Sequence, residues 1–292
     1  MTIPNEALIK QNISKENIKY YKEKGFLIAE SLFDKSEIDL LIDESIKILR
    51  SKKGDFKGIL PHHEKSNLEV LSQYSAIHFP HKMSKLIKRY ASDNRIASVL
   101  SKVVSTNVKC MQTMLFIKGP GKLGQSWHQD EYFIPTRDKS LIGAWIAIDD
   151  ATVDNGCLWV IPESHREGTI VRRIENTNPN FADEQVCDLE KLNEKEAIPV
   201  EVKSGSVVYF NGYLQHMSLK NNTKSSYRKA LVCHYMSAES MLPWNVGGRI
   251  NSTEDMRDFF MVSGNDPYDY KGIENLMEPF VRPVNVTDIN LS

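Results

Sequence analysis

The stretch SWHQDEYFIP, residues 126–135, sets His128 and Asp130 two positions apart, with Trp127 before them and Tyr132-Phe133 behind. On an extended strand alternate side chains share a face. An imidazole and a carboxylate at this spacing stand about 7 Å apart at the backbone and can converge on one ion. The same tripeptide fits a pair of polar side chains on an ordinary strand edge, and alone it does not separate the two readings. A metal reading needs a third ligand. His216, in VVYFNGYLQHMSL, is the best candidate, because it lies just past a strand-like run among turn residues, where strands deliver ligands to the mouth of a barrel. Two imidazoles and one carboxylate make the facial triad that holds ferrous iron and leaves positions open for a cosubstrate and oxygen.

Arg228, at the start of YRKALVCHYM, points along the same strand face as Ala230 and Val232. A buried guanidinium is costly unless it meets an anion, although an arginine at a strand start is also an ordinary surface residue. Arg228 lies twelve positions after His216 and Ser218 two after it, so one turn can bring guanidinium and hydroxyl together near the metal, a pair suited to a carboxylate. Ferrous iron, one carboxylate and two neutral imidazoles leave one positive charge. A dianionic keto-dicarboxylate reverses it, and Arg228 restores neutrality.

The remaining histidines compete for the ligand role. His165 follows Pro162-Glu163-Ser164 in a turn and suits backbone capping. His78 and His81 flank Phe79-Pro80 and read as structural; His62 and His63, in the loop GDFKGILPHHEKSN, read as solvated. His234 shares a face with Arg228 and is either a satisfied core histidine or a wall of the pocket.

The elements that must position these groups read in two blocks. The first hundred residues are helical in pattern: Ser36-Glu37-Ile38-Asp39 resembles a capping box followed by the 3.6-residue period of Ile38, Leu41, Ile42, Ser45 and Leu49. A second helix starts at Asp93 and buries Ile96, Leu100 and Val103. After residue 105 come the β-rich runs VKCMQTMLFIK, LIGAWIAID, GCLWVIP, IPVEVKSGSVVYFN and YRKALVCHYM. Several are apolar at almost every position, as in a sheet covered on both faces. The expectation is a sandwich or barrel with helices outside, divided into a helical support over about 15–105, a β core over about 106–236 and a cover segment over 237–292, in one domain. Residues 165–200 read as a long polar connection.

A net charge of −1 offers no basic excess to attract nucleic acid or an anionic membrane, so a small-molecule partner is expected. No apolar stretch is long enough to span a bilayer and the opening residues do not read as a secretory leader, so the expected location is cytoplasmic. Four cysteines without CxxC spacing suggest neither a zinc knuckle nor a disulfide framework. Composition leaves the oligomeric state open.

Taken together, MQTMLFIK, WHQDEYF, AWIAIDDATVDNGCLWVIPESHREG and GSVVYFNGYLQHMSLKNNTKSSYRKALVCHYM resemble the phytanoyl-CoA dioxygenase family of iron(II) and 2-oxoglutarate-dependent oxygenases. YYKEKGFLIAESLFDKSEIDLL resembles that family's opening helix and strand. The resemblance implies a double-stranded β-helix, a jelly roll with supporting helices. It implies that His128, Asp130 and His216 are iron ligands, that Arg228 and Ser218 grip the distal carboxylate of 2-oxoglutarate, and that Trp145 and Gln112 lie beside the cosubstrate. Asn155-Gly156-Cys157 and Pro162-Glu163-Ser164-His165 match family signatures and read as turn architecture. In the family's halogenases a small residue replaces the carboxylate ligand. Asp130 is present here, which implies hydroxylation or a related C–H oxidation of a small metabolite, consuming oxygen. The competing reading is a jelly roll that binds metal and a small acid as a sensor or scaffold without turnover. Tyr132, Phe133, Met114 and Trp244 are candidates for an apolar substrate wall.

Overall fold

The computed structural model describes residues 3–61, 64–244 and 255–284. His62 and His63 lie outside the described residues. Helices α1 (Lys15–Lys24), α2 (Lys35–Leu49), α3 (Asn67–Ser72), α4 (Pro80–Met83), α5 (Lys85–Ala91) and α6 (Asn94–Val103) precede the β core, and α7 (Asp130–Phe133) interrupts it. Strands β1 (Leu8–Ile9), β2 (Phe26–Ala29) and β3 (Tyr74–His78) lie among the first helices. The core holds β4 (Val108–Lys118), β5 (Gln125–His128), β6 (Ile142–Ala147), β7 (Leu158–Val160), β8 (Arg173–Glu175), β9 (Gln185–Cys187), β10 (Ile198–Val200), β11 (Val207–Asn211), β12 (His216–Ser218) and β13 (Arg228–Ser237). Beyond it come β14 (Phe260–Ser263) and β15 (Phe280–Pro283).

The large sheet runs β1-β2-β11-β6-β13-β4-β3-β15, with β14 also on β4; the small sheet runs β10-β7-β12-β5. Alternation along each strand sorts side chains between two cores. Leu231, Cys233 and Tyr235 of β13 join Leu115, Ile117 and Ile146 against Ile38 and Leu41 of α2, Tyr90 of α5 and Ile96 and Leu100 of α6. Ala230 and Val232 turn the other way, with Trp145, Ala147 and Val208, onto Leu158, Val160, Ile198 and Val200 of the small sheet. All ten residues of β13 are buried, which explains why both faces of its central Ala230–Cys233 stretch are apolar. Two facing sheets with helices on the outer face of the larger form the double-stranded β-helix, a jelly roll.

Helix α6 starts at the Asp93 cap, as the sequence predicts. The cap of α2 is Asp34 rather than Ser36: its carboxylate accepts from Glu37 N at 2.9 Å and Glu37 Oε2 accepts from Asp34 N at 2.9 Å. Ser36 sits in the first turn and donates to Asp34 at 2.7 Å. The helical pattern read over the first hundred residues misses β1 and β3, which enter the large sheet, while β2 is the strand that the resemblance to the family's opening helix and strand implies. FLIA is buried at every position, and so short an apolar run has no periodicity to betray a strand. The segment after 237 does more than cover, because β14 and β15 extend the large sheet. The 165–200 connection carries the β8–β9 hairpin. All four cysteines are buried and free. No helix among the described residues is long and apolar enough to cross a membrane.

Candidate metal centre and active site

The site lies between the two sheets. Along β4, Gln112, Met114 and Phe116 are half-buried while their neighbours are buried, so this face borders a cavity. Opposite them in register stand His234, Val232 and Ala230 of β13, and Lys118 faces Arg228.

His128 and His216 are direct cross-strand partners on β5 and β12, with ring centroids 4.1 Å apart. This pairing delivers both imidazoles to one point. Asp130 does not continue the strand as the sequence predicts. β5 ends at His128, Gln129 remains extended (φ −126°, ψ 130°), and Asp130 opens α7. The carboxylate still converges: its Oδ1 lies 3.7 Å from His128 Nε2 and 3.5 Å from His216 Nε2. All three residues are buried, and one ligand atom of each lies within 4.8 Å of the others.

These residues fit a divalent cation in more than distance. His128 Nδ1 lies 2.7 Å from Ser126 O, and His216 Nδ1 lies 2.9 Å from Leu214 O. A carbonyl only accepts, so each Nδ1 carries a proton and each Nε2 is the ring nitrogen left facing the other ligands. Burial, with His216 alongside, holds His128 down at about 3, so its ring is neutral at physiological pH. Burial works to raise the Asp130 carboxyl, but His216 and His234 outweigh it and hold it well below the usual carboxylate range. Two imidazole nitrogens and one carboxylate oxygen are the donor set of a 2-His-1-carboxylate site.

His234, left open by the sequence, is buried on the same face, and its Nε2 lies 2.9 Å from Asp130 Oδ2. Oδ1 is thereby left toward the imidazoles. His234 Nδ1 is buried without a hydrogen-bond partner among the described residues. Phe133 stands 6.1 Å from the His128 ring and Phe210 4.7 Å from the His216 ring. Tyr132 and Phe133 remain 44% and 45% exposed, at the rim rather than inside. Trp244 packs beside the cluster of Met111, Met236, Met256 and Phe259.

Arg228 is buried, and its Nε donates to Gly156 O at 3.1 Å. Burial brings the guanidinium down to about 10. Its carbon lies 5.5 Å from the Trp145 ring centroid, so Trp145 is both a core indole and a neighbour of this cation. Ser218 has no hydrogen bond to Arg228. Its hydroxyl oxygen accepts instead from Lys118 Nζ at 2.8 Å, a contact the sequence reading missed. The Gln112 side chain makes no hydrogen bond among the described residues and shares the cavity face with Met114.

The supporting turns are architectural, as expected. Asn155 accepts from Thr152 N and donates to Asp150 O, both at 2.8 Å, which presents the Gly156 carbonyl to Arg228. Ser164 Oγ accepts from Gln215 N at 2.9 Å, tethering the residue before His216. His165 Nε2 meets Lys22 O at 3.1 Å, His81 Nδ1 meets Thr113 Oγ1 at 2.7 Å, and His78 stacks on Phe280. Gln129 donates to Thr169 O and Tyr213 O and accepts from Val171 N, pinning two loops behind the centre.

The family model of phytanoyl-CoA dioxygenase matches residues 21–230. A phytanoyl-CoA dioxygenase of Arabidopsis thaliana is 33% identical over 163 residues, covering 56% of this chain and 56% of that one, so the match spans little more than half of that relative. Among solved structures, a non-haem α-ketoglutarate-dependent carbocyclase from nogalamycin biosynthesis superposes with a TM-score of 0.65 at 20% identity, over 86% of this chain and 97% of that one, a likeness of fold. The expectation of a cytoplasmic protein is corrected by a peroxisomal phytanoyl-CoA dioxygenase of Homo sapiens, 28% identical over 239 residues that cover 77% of this chain and 68% of that one. Compartment is set by short receptor-read addresses, which composition does not encode. A family match over residues 21–230, on a jelly roll that gathers His128, Asp130 and His216, places the chain in the phytanoyl-CoA dioxygenase family.

Proposed function

We propose that the chain is a single double-stranded β-helix oxygenase that hydroxylates, or otherwise oxidises, a C–H bond of a small organic metabolite. Oxygen and 2-oxoglutarate are consumed, and one oxygen atom leaves in succinate as carbon dioxide is released. The observation that carries this reading is the buried convergence of three ligand atoms within 4.8 Å, with both imidazole tautomers set by backbone carbonyls. Ferrous iron bound there supplies the activation of oxygen that couples cosubstrate decarboxylation to C–H oxidation.

His128 and His216 hold the ion through Nε2 and Asp130 through Oδ1. His234 positions Asp130 by donating to Oδ2, the kind of outer contact that fixes a ligand's orientation. Arg228 and Ser218 bind the distal carboxylate of 2-oxoglutarate, with Trp145 and Gln112 beside its chain. Met114 lines the substrate side, with Tyr132 and Phe133 at its rim and Trp244 in the apolar cluster behind it.

Purified protein given ferrous ion, oxygen and 2-oxoglutarate without its own substrate is expected to release succinate slowly. Succinate at the level of metal-free controls across a range of pH overturns the reading and leaves the binding-only sensor or scaffold.

A further inference from the structure

Arg173 opens β8 and lies against the two aromatic rings at the rim of the cavity. Its guanidinium carbon stands 5.0 Å from the Tyr132 ring centroid and 4.9 Å from that of Phe133, and the two rings meet edge to face at 5.0 Å. Phe133 in turn stands 6.1 Å from the His128 ring, so the cation sits on the metal's side of the rim. It takes no part in the metal or cosubstrate sets described above.

This cation is held in place and yet under-bonded. Nη2 donates to Gln185 O at 2.6 Å, a carbonyl that also accepts from Ser126 Oγ at 3.1 Å, which ties the guanidinium to β5 two residues before His128. Nε and Nη1 are buried without a hydrogen-bond partner, and no carboxylate pairs with Arg173 among the described residues. Three acids of the same connection are turned elsewhere. Asp188 takes Arg172 at 3.3 Å, Asp183 accepts from Ser126 N at 2.6 Å, and Glu194 accepts from Trp127 Nε1 at 2.6 Å. Stacking on two rings satisfies the flat faces of a guanidinium but not its in-plane N–H groups, which are costly to bury without an acceptor. The acceptor that suits them best carries a negative charge. With Arg172 already paired, one guanidinium matches a single charge, which favours a carboxylate over a phosphate dianion.

We infer that Arg173 anchors a carboxylate of the substrate at the rim, so that the small metabolite oxidised is an organic acid, its acid group beside Tyr132 and Phe133 and a C–H bond further along its body facing the metal. This names a substrate class for the oxygenase reading above and rests on it. Tyr132 and Phe133, nearly half exposed, turn aside to open Nε and Nη1 to the incoming acid. The test titrates the ferrous protein, anaerobic and saturated with 2-oxoglutarate, with matched acids and amides: butanoate and butanamide, octanoate and octanamide, phenylacetate and phenylacetamide. Calorimetry reads each affinity. In at least one pair wild type should bind the acid about tenfold more tightly than its amide. Arg173→Met, which keeps an apolar stem against the rings, should weaken that acid about tenfold and its amide less than about twofold, and Arg173→Lys should recover part of the preference. An equal loss of acid and amide marks a merely structural arginine and overturns the inference. So does a preference that survives Arg173→Met, or wild type without preference in any pair. Should Arg173→Met fail to fold, Arg173→Gln carries the comparison with the same expected loss. Succinate released by wild type in air, without these probes, judges the oxygenase reading separately. Its absence overturns that reading and the inference with it, whereas succinate release with no preference for acids overturns the inference alone.

Discussion

The two ends of the cavity are built with opposite demands. At one end His128, His216 and Asp130 turn lone pairs inward, and every second atom of that set has a hydrogen-bond partner: Ser126 O, Leu214 O and His234 Nε2. At the other end Lys118 and Arg228 turn donors toward Ser218 and backbone carbonyls, with no carboxylate paired to either among the described residues. The first end suits a cation and the second an anion. Strand β12 links them through His216 and Ser218, so a molecule that chelates metal at one end and carries an acid at the other satisfies both at once.

Substitutions at each end should therefore separate metal binding from acid binding. The largest separation is expected for Arg228→Ala, which should weaken 2-oxoglutarate by about 2 to 4 kcal/mol while ferrous ion binds as before. Loss of both affinities together would break the division. His234→Phe should act at the metal end alone. Releasing Asp130 Oδ2 should lower ferrous affinity by about ten- to a hundredfold, and His234→Gln, which can still donate, should recover part of it; metal titration of the three proteins checks this. Gln129→Ala removes three hydrogen bonds from the loops behind the centre. Chemical denaturation should report a loss of about 1 to 3 kcal/mol with the ferrous protein still forming, which distinguishes support of the fold from either end of the cavity. The smallest effect is set at the α2 cap, far in sequence from both ends. Asp34→Ala should cost about 1 kcal/mol of stability and change neither affinity.

Much of the metal end was legible because its cues are local. His128 and Asp130 are two residues apart, and His216 follows an apolar run that must be a strand. That Asp130 leaves β5 for α7 was not, since DEYF carries no helical period in four residues. The anion end was half legible. Arg228 could be placed by alternation along β13, because its face companions Ala230 and Val232 are small and apolar. Lys118 closes an apolar strand and shares the parity of Gln112, Met114 and Phe116, but nothing local marks a lysine at a strand end as buried. Only the β4–β13 register puts it opposite Arg228. His234 was recognised as facing the cavity but not as Asp130's partner, a contact spanning 104 positions in the chain. Strands β14 and β15 escaped for a related reason: in a turn-rich segment, pairing with β4 and β3 rather than local pattern makes the strand.

The claim on which both ends depend is that Asp130 is a metal ligand, and anaerobic titration of ferrous ion into wild type and Asp130→Ala tests it most directly. Without Asp130 the ion faces two imidazoles and no protein anion, so affinity should fall sharply, and formate or chloride, small enough for the vacated position, should restore part of it. An Asp130→Ala protein that binds ferrous ion as tightly as wild type would contradict the account.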